Sequence, residues 1–168
     1  MYKIIALCSR VTKSKKIYMF LLTKAHKVNG VKFIGRPNFI HPSSVLDTTA
    51  GITLGENIVI STGVLCLTHD YSFTTGLISI DKRPETDKAI IKSVTIGNNC
   101  FIGANSTILP GSTIGDHTLI GAGSIVRGNI PNFSVVSGNP ANVVYDIRKW
   151  AKHKNKTLCS ENILSDKF

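Results

Sequence analysis

Five histidines are the side chains in this 168-residue chain best suited to moving a proton near neutral pH, because an imidazole has a reference pKa of about 6.5. They stand in different settings. His69 lies in Leu67-Thr68-His69-Asp70, at the head of a polar stretch. His41 precedes Pro42, and His117 follows Gly115-Asp116, so both read as turn residues. His26 and His153 lie in the basic flanks. Taken alone, His69 reads as a solvated loop histidine, and its setting leaves a proton-transfer role open. Asp70 is adjacent, but consecutive side chains often diverge, and a backbone carbonyl could orient the imidazole instead. The four cysteines, Cys8, Cys66, Cys100 and Cys159, are widely spaced. They form no CxxC pair and no Cys/His cluster with zinc spacing, so no metal is expected. No glycine-rich dinucleotide fingerprint, P-loop or GxSxG elbow occurs.

The elements that must position these residues follow from a repeat. From residue 96 an aliphatic residue recurs every six positions: Ile96, Ile102, Ile108, Ile114, Ile120 and Val126. Glycine follows directly at Gly97, Gly103, Gly115 and Gly121. A weaker copy lies upstream, at Ile34, Ile40 and Leu46, and continues at Leu54, Ile60 and Cys66 after a two-residue slip. A period of six matches neither helix nor strand. It suits a three-faced prism in which each face takes one short strand and one corner, eighteen residues to a coil. The aliphatic residue points inward, and the corners take small residues or residues that tolerate unusual φ. Cys66 and Cys100 then occupy or adjoin inward positions, where thiols are inert filler, which leaves covalent catalysis without a candidate. Residues 69–93 break the period and are polar, so they read as a loop thrown out from the prism. A loop of that length is uncommon unless functional or disordered.

The flanks differ in composition. Residues 1–46 carry Lys3, Arg10, Lys13, Lys15, Lys16, Lys24, Lys27, Lys32 and Arg36, and the first acid of the chain is Asp47. The formal net charge is +10. Such a block favours an anionic partner, whether cofactor phosphates, a nucleotide-sugar, a lipid-linked glycan or an anionic membrane surface, and otherwise reads as a solvated basic helix. No nucleic-acid-binding module accompanies the charge. The pattern predicts one helix over residues 10–28 and a short C-terminal helix over 142–154, with the last dozen residues frayed. The domain plan is a basic helical segment over 1–30, a prism over 31–141, and a C-terminal helix and tail over 142–168. The N-terminal apolar stretches fall short of the roughly 20 residues that span a bilayer. With no signal-peptide core and thiols read as reduced, the expected setting is cytoplasmic, at most resting on the inner face of a membrane.

The two blocks, with the loop between them, resemble the hexapeptide-repeat acyltransferases over roughly residues 34–145. More narrowly they are similar to the maltose and galactoside O-acetyltransferases, the xenobiotic acetyltransferases, and the capsule and lipopolysaccharide O-acetyltransferases. The resemblance is strongest over Ile96–Val126 and in Ser137-Gly138-Asn139-Pro140-Ala141. It implies an all-β fold, a left-handed parallel β-helix, assembled as a homotrimer with active sites between subunits. It implies acetyl-CoA as co-substrate, with no metal. His69 matches the family's catalytic histidine.

The resemblance also assigns the donor and acceptor residues. Ala104 and Ala122 match small residues whose backbone meets the pantetheine arm. Arg127 and Gly128 match a cofactor-touching position, where Arg127 could pair with a phosphate or stand as a solvated corner residue. Asn142 and Tyr145 stand where relatives place basic residues near the adenosine 3′-phosphate, a contact that is then weaker or supplied by Arg148, Lys149 or another chain. Phe101 replaces a tryptophan, keeping a flat acyl wall near the oxyanion but losing the indole N–H. Asp47 matches an acid that contacts sugar hydroxyls, and Asp70, Tyr71 and Arg83 are loop candidates for the acceptor. The expected reaction is direct transfer of acetyl to a sugar hydroxyl. The alternatives are N-acetylation of an amino sugar or nucleotide-linked amino sugar, and a non-catalytic solenoid binding module.

Overall fold

A computed structural model describes residues 14–158. Helix α1 (Lys15–Val28) leads into the first coil, made of β1 (Val31–Phe33), β2 (Phe39–Ile40) and β3 (Val45–Leu46). The second coil is β4 (Ile52–Leu54), β5 (Val59–Ile60) and β6 (Leu65–Cys66). The chain then leaves the stack through β7 (His69–Asp70), α2 (Ser72–Ile78) and β8 (Ile90–Ile91). The third coil is β9 (Val94–Ile96), β10 (Phe101–Ile102) and β11 (Thr107–Ile108), and the fourth is β12 (Thr113–Ile114), β13 (Leu119–Ile120) and β14 (Ile125–Val126). A partial fifth coil holds β15 (Asn129–Ile130) and β16 (Ser134–Gly138), before β17 (Ala141–Asp146) and α3 (Ile147–Leu158).

Stacking these coils builds three flat parallel sheets. The first face runs β1-β4-β9-β12-β15, the second β2-β5-β10-β13-β16, and the third β3-β6-β11-β14. In the regular part the partner lies eighteen residues on, as in Phe101↔Leu119 and Thr107↔Ile125. The inward residues Ile40, Leu54, Ile60, Ile96, Ile102, Ile108, Ile114, Ile120 and Val126 are almost completely buried. Each contributes roughly 1.5–3 kcal/mol of apolar burial, and only against neighbouring coils.

The corners work as the repeat requires. Asn57, Asn99, His117 and Phe133, one in each of the second to fifth coils at the corner between the first and second faces, all adopt the left-handed conformation, with φ between 54° and 61°. Small buried hydroxyls close the corners from inside: Ser106 and Ser124 both donate to the Gly121 carbonyl, at 3.0 and 2.6 Å. Among the described residues no buried side-chain nitrogen or oxygen lacks a partner, as a dry core demands. Gly103 is fixed by proximity, since a Cβ there would sit 2.5 Å from the Ala122 amide nitrogen of the next coil.

Helix α1 closes the open end of the first coil. Tyr18, Met19, Leu22, Ala25 and His26 form its buried stripe, and the Tyr18 hydroxyl donates to the Ile40 carbonyl at 2.7 Å. Burial pushes the His26 imidazole down to about 4.

Four expectations need adjustment. The helix expected over 10–28 occupies Lys15–Val28, and residues 10–13 lie outside the described residues. Ile34 does not point inward. It is 70% exposed, and Phe33, paired with Leu54, packs against the core instead. That coil starts where α1 covers it, so helix packing sets its phase and the six-residue count does not. Residues 142–146 are strand, not helix: β17 pairs antiparallel with β16. Val143, Val144 and Tyr145 favour an extended edge, and the C-terminal helix begins only at Ile147. The polar loop has structure at its base, where β7 pairs antiparallel with β8, and α2 beyond. The frayed dozen falls almost wholly outside the described residues.

Candidate active site

The register of β3 on β6 sets the site. Leu46 lies beside Cys66, so Asp47 leaves the third face at the same corner as Leu67, Thr68 and His69. Residues 47–51 are the slip between repeats, and residue 69 begins the extruded loop. Both irregularities therefore project from one edge of the prism.

At that edge the His69 Nδ1 lies 2.7 Å from Asp47 Oδ2, and 3.3 Å from the Thr49 hydroxyl. The same Oδ2 accepts from the Thr68 amide and the Thr68 hydroxyl, each at 2.8 Å. Asp47 Oδ1 accepts from the Thr49 hydroxyl at 2.7 Å and the Thr49 amide at 3.1 Å. Burial alone would push the Asp47 carboxyl up. The hydrogen bonds from Thr49 and Thr68 outweigh it and hold the group far below the ordinary carboxylate range. An ionised carboxylate only accepts, so Nδ1 must carry the hydrogen that it shares with Asp47. In the neutral ring Nε2 is then the acceptor, and it has no hydrogen-bond partner among the described residues. The His69 side chain is 39% exposed, against 13% for Asp47: a reachable base over a sheltered anion. Tyr71 meets the imidazole edge-on, with ring centroids 5.7 Å apart.

The remaining predicted residues divide between places. Asp70 does not orient His69. It accepts from the Ser72 amide at 2.8 Å at the start of α2. That bond, aided by the Ser72 hydroxyl and the nearby charge of Arg127, holds its carboxyl below the usual range. Arg127 and Gly128 follow β14 at the same prism edge as His69 and are brought towards the loop. Ala104 and Ala122 lie along the next edge, between the second and third faces, where the Gly123 amide donates to the Ala104 carbonyl at 2.8 Å. The width of the third face, on the order of 15 Å for one short strand with its corners, separates them from His69 within the chain. Phe101 is exposed on the outer surface of the second face, between Val59 and Leu119. Asn142 and Tyr145 lie on β17, where the Asn142 side-chain amide donates to the Pro140 carbonyl. Arg148 is already engaged, paired with Asp146 and lying 4.5 Å from the Phe133 ring centre. Arg83 stands exposed on the outer loop, without a hydrogen bond or ion pair among the described residues.

Two residues of this constellation escaped the sequence reading, Thr49 and Thr68. Thr68 directly precedes His69 at the point where the six-residue period stops after Cys66, which is the signal that could have found it. Thr49 stands in the slip itself, directly opposite the loop exit. The two described thiols are buried: burial pushes Cys66 up to about 12, with Asp47 adding to it, and Cys100 to about 11.

Comparison with known proteins agrees with the architecture. Residues 93–128 match the model of the bacterial transferase hexapeptide (six repeats), and residues 43–65 match the hexapeptide repeat of succinyl-transferase. Protein CapG of Staphylococcus aureus is 42% identical over 99 residues, covering 59% of this chain and 55% of CapG. WbbJ of Escherichia coli (strain K12), a protein named as an O-acetyl transferase of lipopolysaccharide biosynthesis, is 28% identical over 122 residues, covering 68% of this chain and 60% of WbbJ. The chain thus spans less than two thirds of the length of these relatives. A galactoside acetyltransferase solved in complex with coenzyme A shares the fold, with a TM-score of 0.63, 24% identity, and coverage of 90% of this chain and 81% of that one.

Proposed function

Because the chain belongs to the hexapeptide-repeat acyltransferase family, we propose that it transfers an acetyl group from acetyl-CoA to a hydroxyl of a sugar within a lipopolysaccharide, capsule or related glycan. The observation that carries this reading is the His69–Asp47 pair at 2.7 Å. It holds the imidazole in the one tautomer whose Nε2 can accept a proton, and aims it from the loop that interrupts the repeat. The O-acetyl transfer named for WbbJ, and the coenzyme A bound by the galactoside acetyltransferase, support the reaction class and the donor.

Nε2 takes the proton of the acceptor hydroxyl while Asp47 stabilises the imidazolium that forms. The hydroxyl oxygen attacks the thioester carbonyl. The resulting oxyanion collapses, the carbon–sulfur bond breaks, and the imidazolium returns its proton to the departing thiolate. In this reading Tyr71, beside the imidazole, and Asp70 meet the acceptor sugar. Ala104 and Ala122 leave a groove edge clear for the pantetheine arm, and Phe101 stands as an apolar wall. Asp47, with both oxygens engaged inside the chain, orients His69 in place of binding the sugar. The donor edge and the base edge lie apart in one chain, so the working site joins the base edge of one subunit to the donor edge of its neighbour, in the trimer implied by the family resemblance.

The test is acetyl-CoA turnover with a panel of glycan acceptors. His69→Ala should lose roughly 10²–10⁴-fold in kcat, the scale of a general base, while calorimetry shows acetyl-CoA still bound. Undiminished turnover in that variant would remove His69 from the mechanism.

A further inference from the structure

We infer that the outward face of α1, together with the adjoining rim of the first coil, is a docking surface for an anionic phospholipid bilayer. The helix is apolar on two sides. Its inner stripe is spent on the core, through Tyr18, Met19, Leu22, Ala25 and His26. Opposite that stripe stand Ile17, Phe20, Lys24 and Val28, whose spacing of three, four and four places them on one face. Ile17 is 51% exposed, Phe20 58% and Val28 72%. Lys24 lies over the Phe20 ring at 4.7 Å, and Lys16 and Lys27 flank the stripe.

The coil rim continues this surface. A cavity of about 480 Å³ lies between helix and rim, and its lining includes Phe20, Lys27, Ile34 and Arg36. The groove thus joins two exposed apolar side chains to two cations that pair well with phosphate.

Charge selects the occupant. The helix has no acid, and in the sequence nine basic residues precede the first acid, Asp47. Pairing this face with a second copy of itself would set like charges together. Large apolar residues interleaved with long basic ones suit the headgroup boundary, where apolar side chains enter and lysines extend to the phosphates. Among the described residues no helix is long and apolar enough to cross a membrane, so the contact lies in the plane of the interface. The inference stands independently of which acceptor is acetylated.

Flotation with lipid vesicles tests it. The full chain should partition onto phosphatidylcholine vesicles containing 30% phosphatidylglycerol (a chosen probe composition, about a third anionic) at least about tenfold more strongly than onto pure phosphatidylcholine, and lose that preference in roughly 0.5 M salt. The variant Lys16→Glu/Lys24→Glu/Lys27→Glu should lose about a hundredfold or more, near fivefold for each lysine removed. Phe20→Ser should lose roughly tenfold with its melting curve unchanged. Equal binding to both vesicle types, or salt-independent binding, would overturn the inference without any variant. So would Phe20→Ser lowering the oligomer mass in sedimentation while leaving vesicle binding intact, because the face would then belong to a second copy.

Discussion

Asp47 is committed at both carboxylate oxygens, with donors from Thr49, Thr68 and His69 converging on them. A carboxylate so satisfied has little capacity left for an outside ligand, which supports the proposed orienting role. Asp47→Asn keeps the shape and removes the charge. The amide can no longer accept on both sides, and the imidazolium loses its stabilising anion. We expect kcat to fall by roughly 10²–10⁴-fold, the scale of such a change beneath a catalytic histidine, with KM for acetyl-CoA unchanged in steady-state assays. A rise in glycan KM with kcat intact would instead return Asp47 to the sugar. His69 was legible in the sequence because a regular repeat stops there. Its partner was not, since Asp47 and His69 are 22 positions apart and meet only through the register of two irregular coils.

Helix α1 and the edge strand β17 show where element-level reading succeeds and where it stops. From residue 96 to 126 the six-residue period placed every inward side chain, since one steric rule repeats without interruption. At the ends that rule competes with another contact. The phase of the first coil answers to α1, so Phe33 replaces Ile34. The strand β17 answers to the free edge of β16, which its β-branched residues can pair with. The same packing buries His26, whose imidazole falls from 6.5 to about 4. Its folded value is depressed, so the unfolded chain takes up the proton first as the pH drops. Stability is therefore complete above about 6.5 and is lost progressively down to about 4, by at most about 3 kcal/mol for that shift. Thermal melts between pH 7 and 4.5 should show the midpoint falling, and a smaller fall in His26→Leu. Equal slopes in the two proteins would assign the acid sensitivity to other groups.

The whole molecule places its chemistry on the outside of a filled prism. The core is filled by its own side chains, so the proposed reaction uses edges, and the two edges it needs are kept apart by the third face. Ala104 and Ala122 mark one edge, and His69 with Asp47 marks the other. No flexing of a stack of hydrogen-bonded coils brings them together, whereas a neighbouring prism set alongside, as in the proposed trimer, would do so. This predicts complementation between two dead variants. His69→Ala removes the base but leaves the donor edge intact, and Ala122→Arg blocks the donor edge but leaves the base intact. Each alone should be nearly inactive. After unfolding and refolding as an equal mixture, a cleft works when the blocked-edge chain supplies the base and the base-less chain supplies the groove. Random assembly through one repeated head-to-tail interface gives about a quarter of clefts that arrangement, so turnover should recover to about a quarter of the wild-type level. A site built within one chain gives no recovery at any mixing ratio, so the mixed sample alone decides between shared and self-contained active sites.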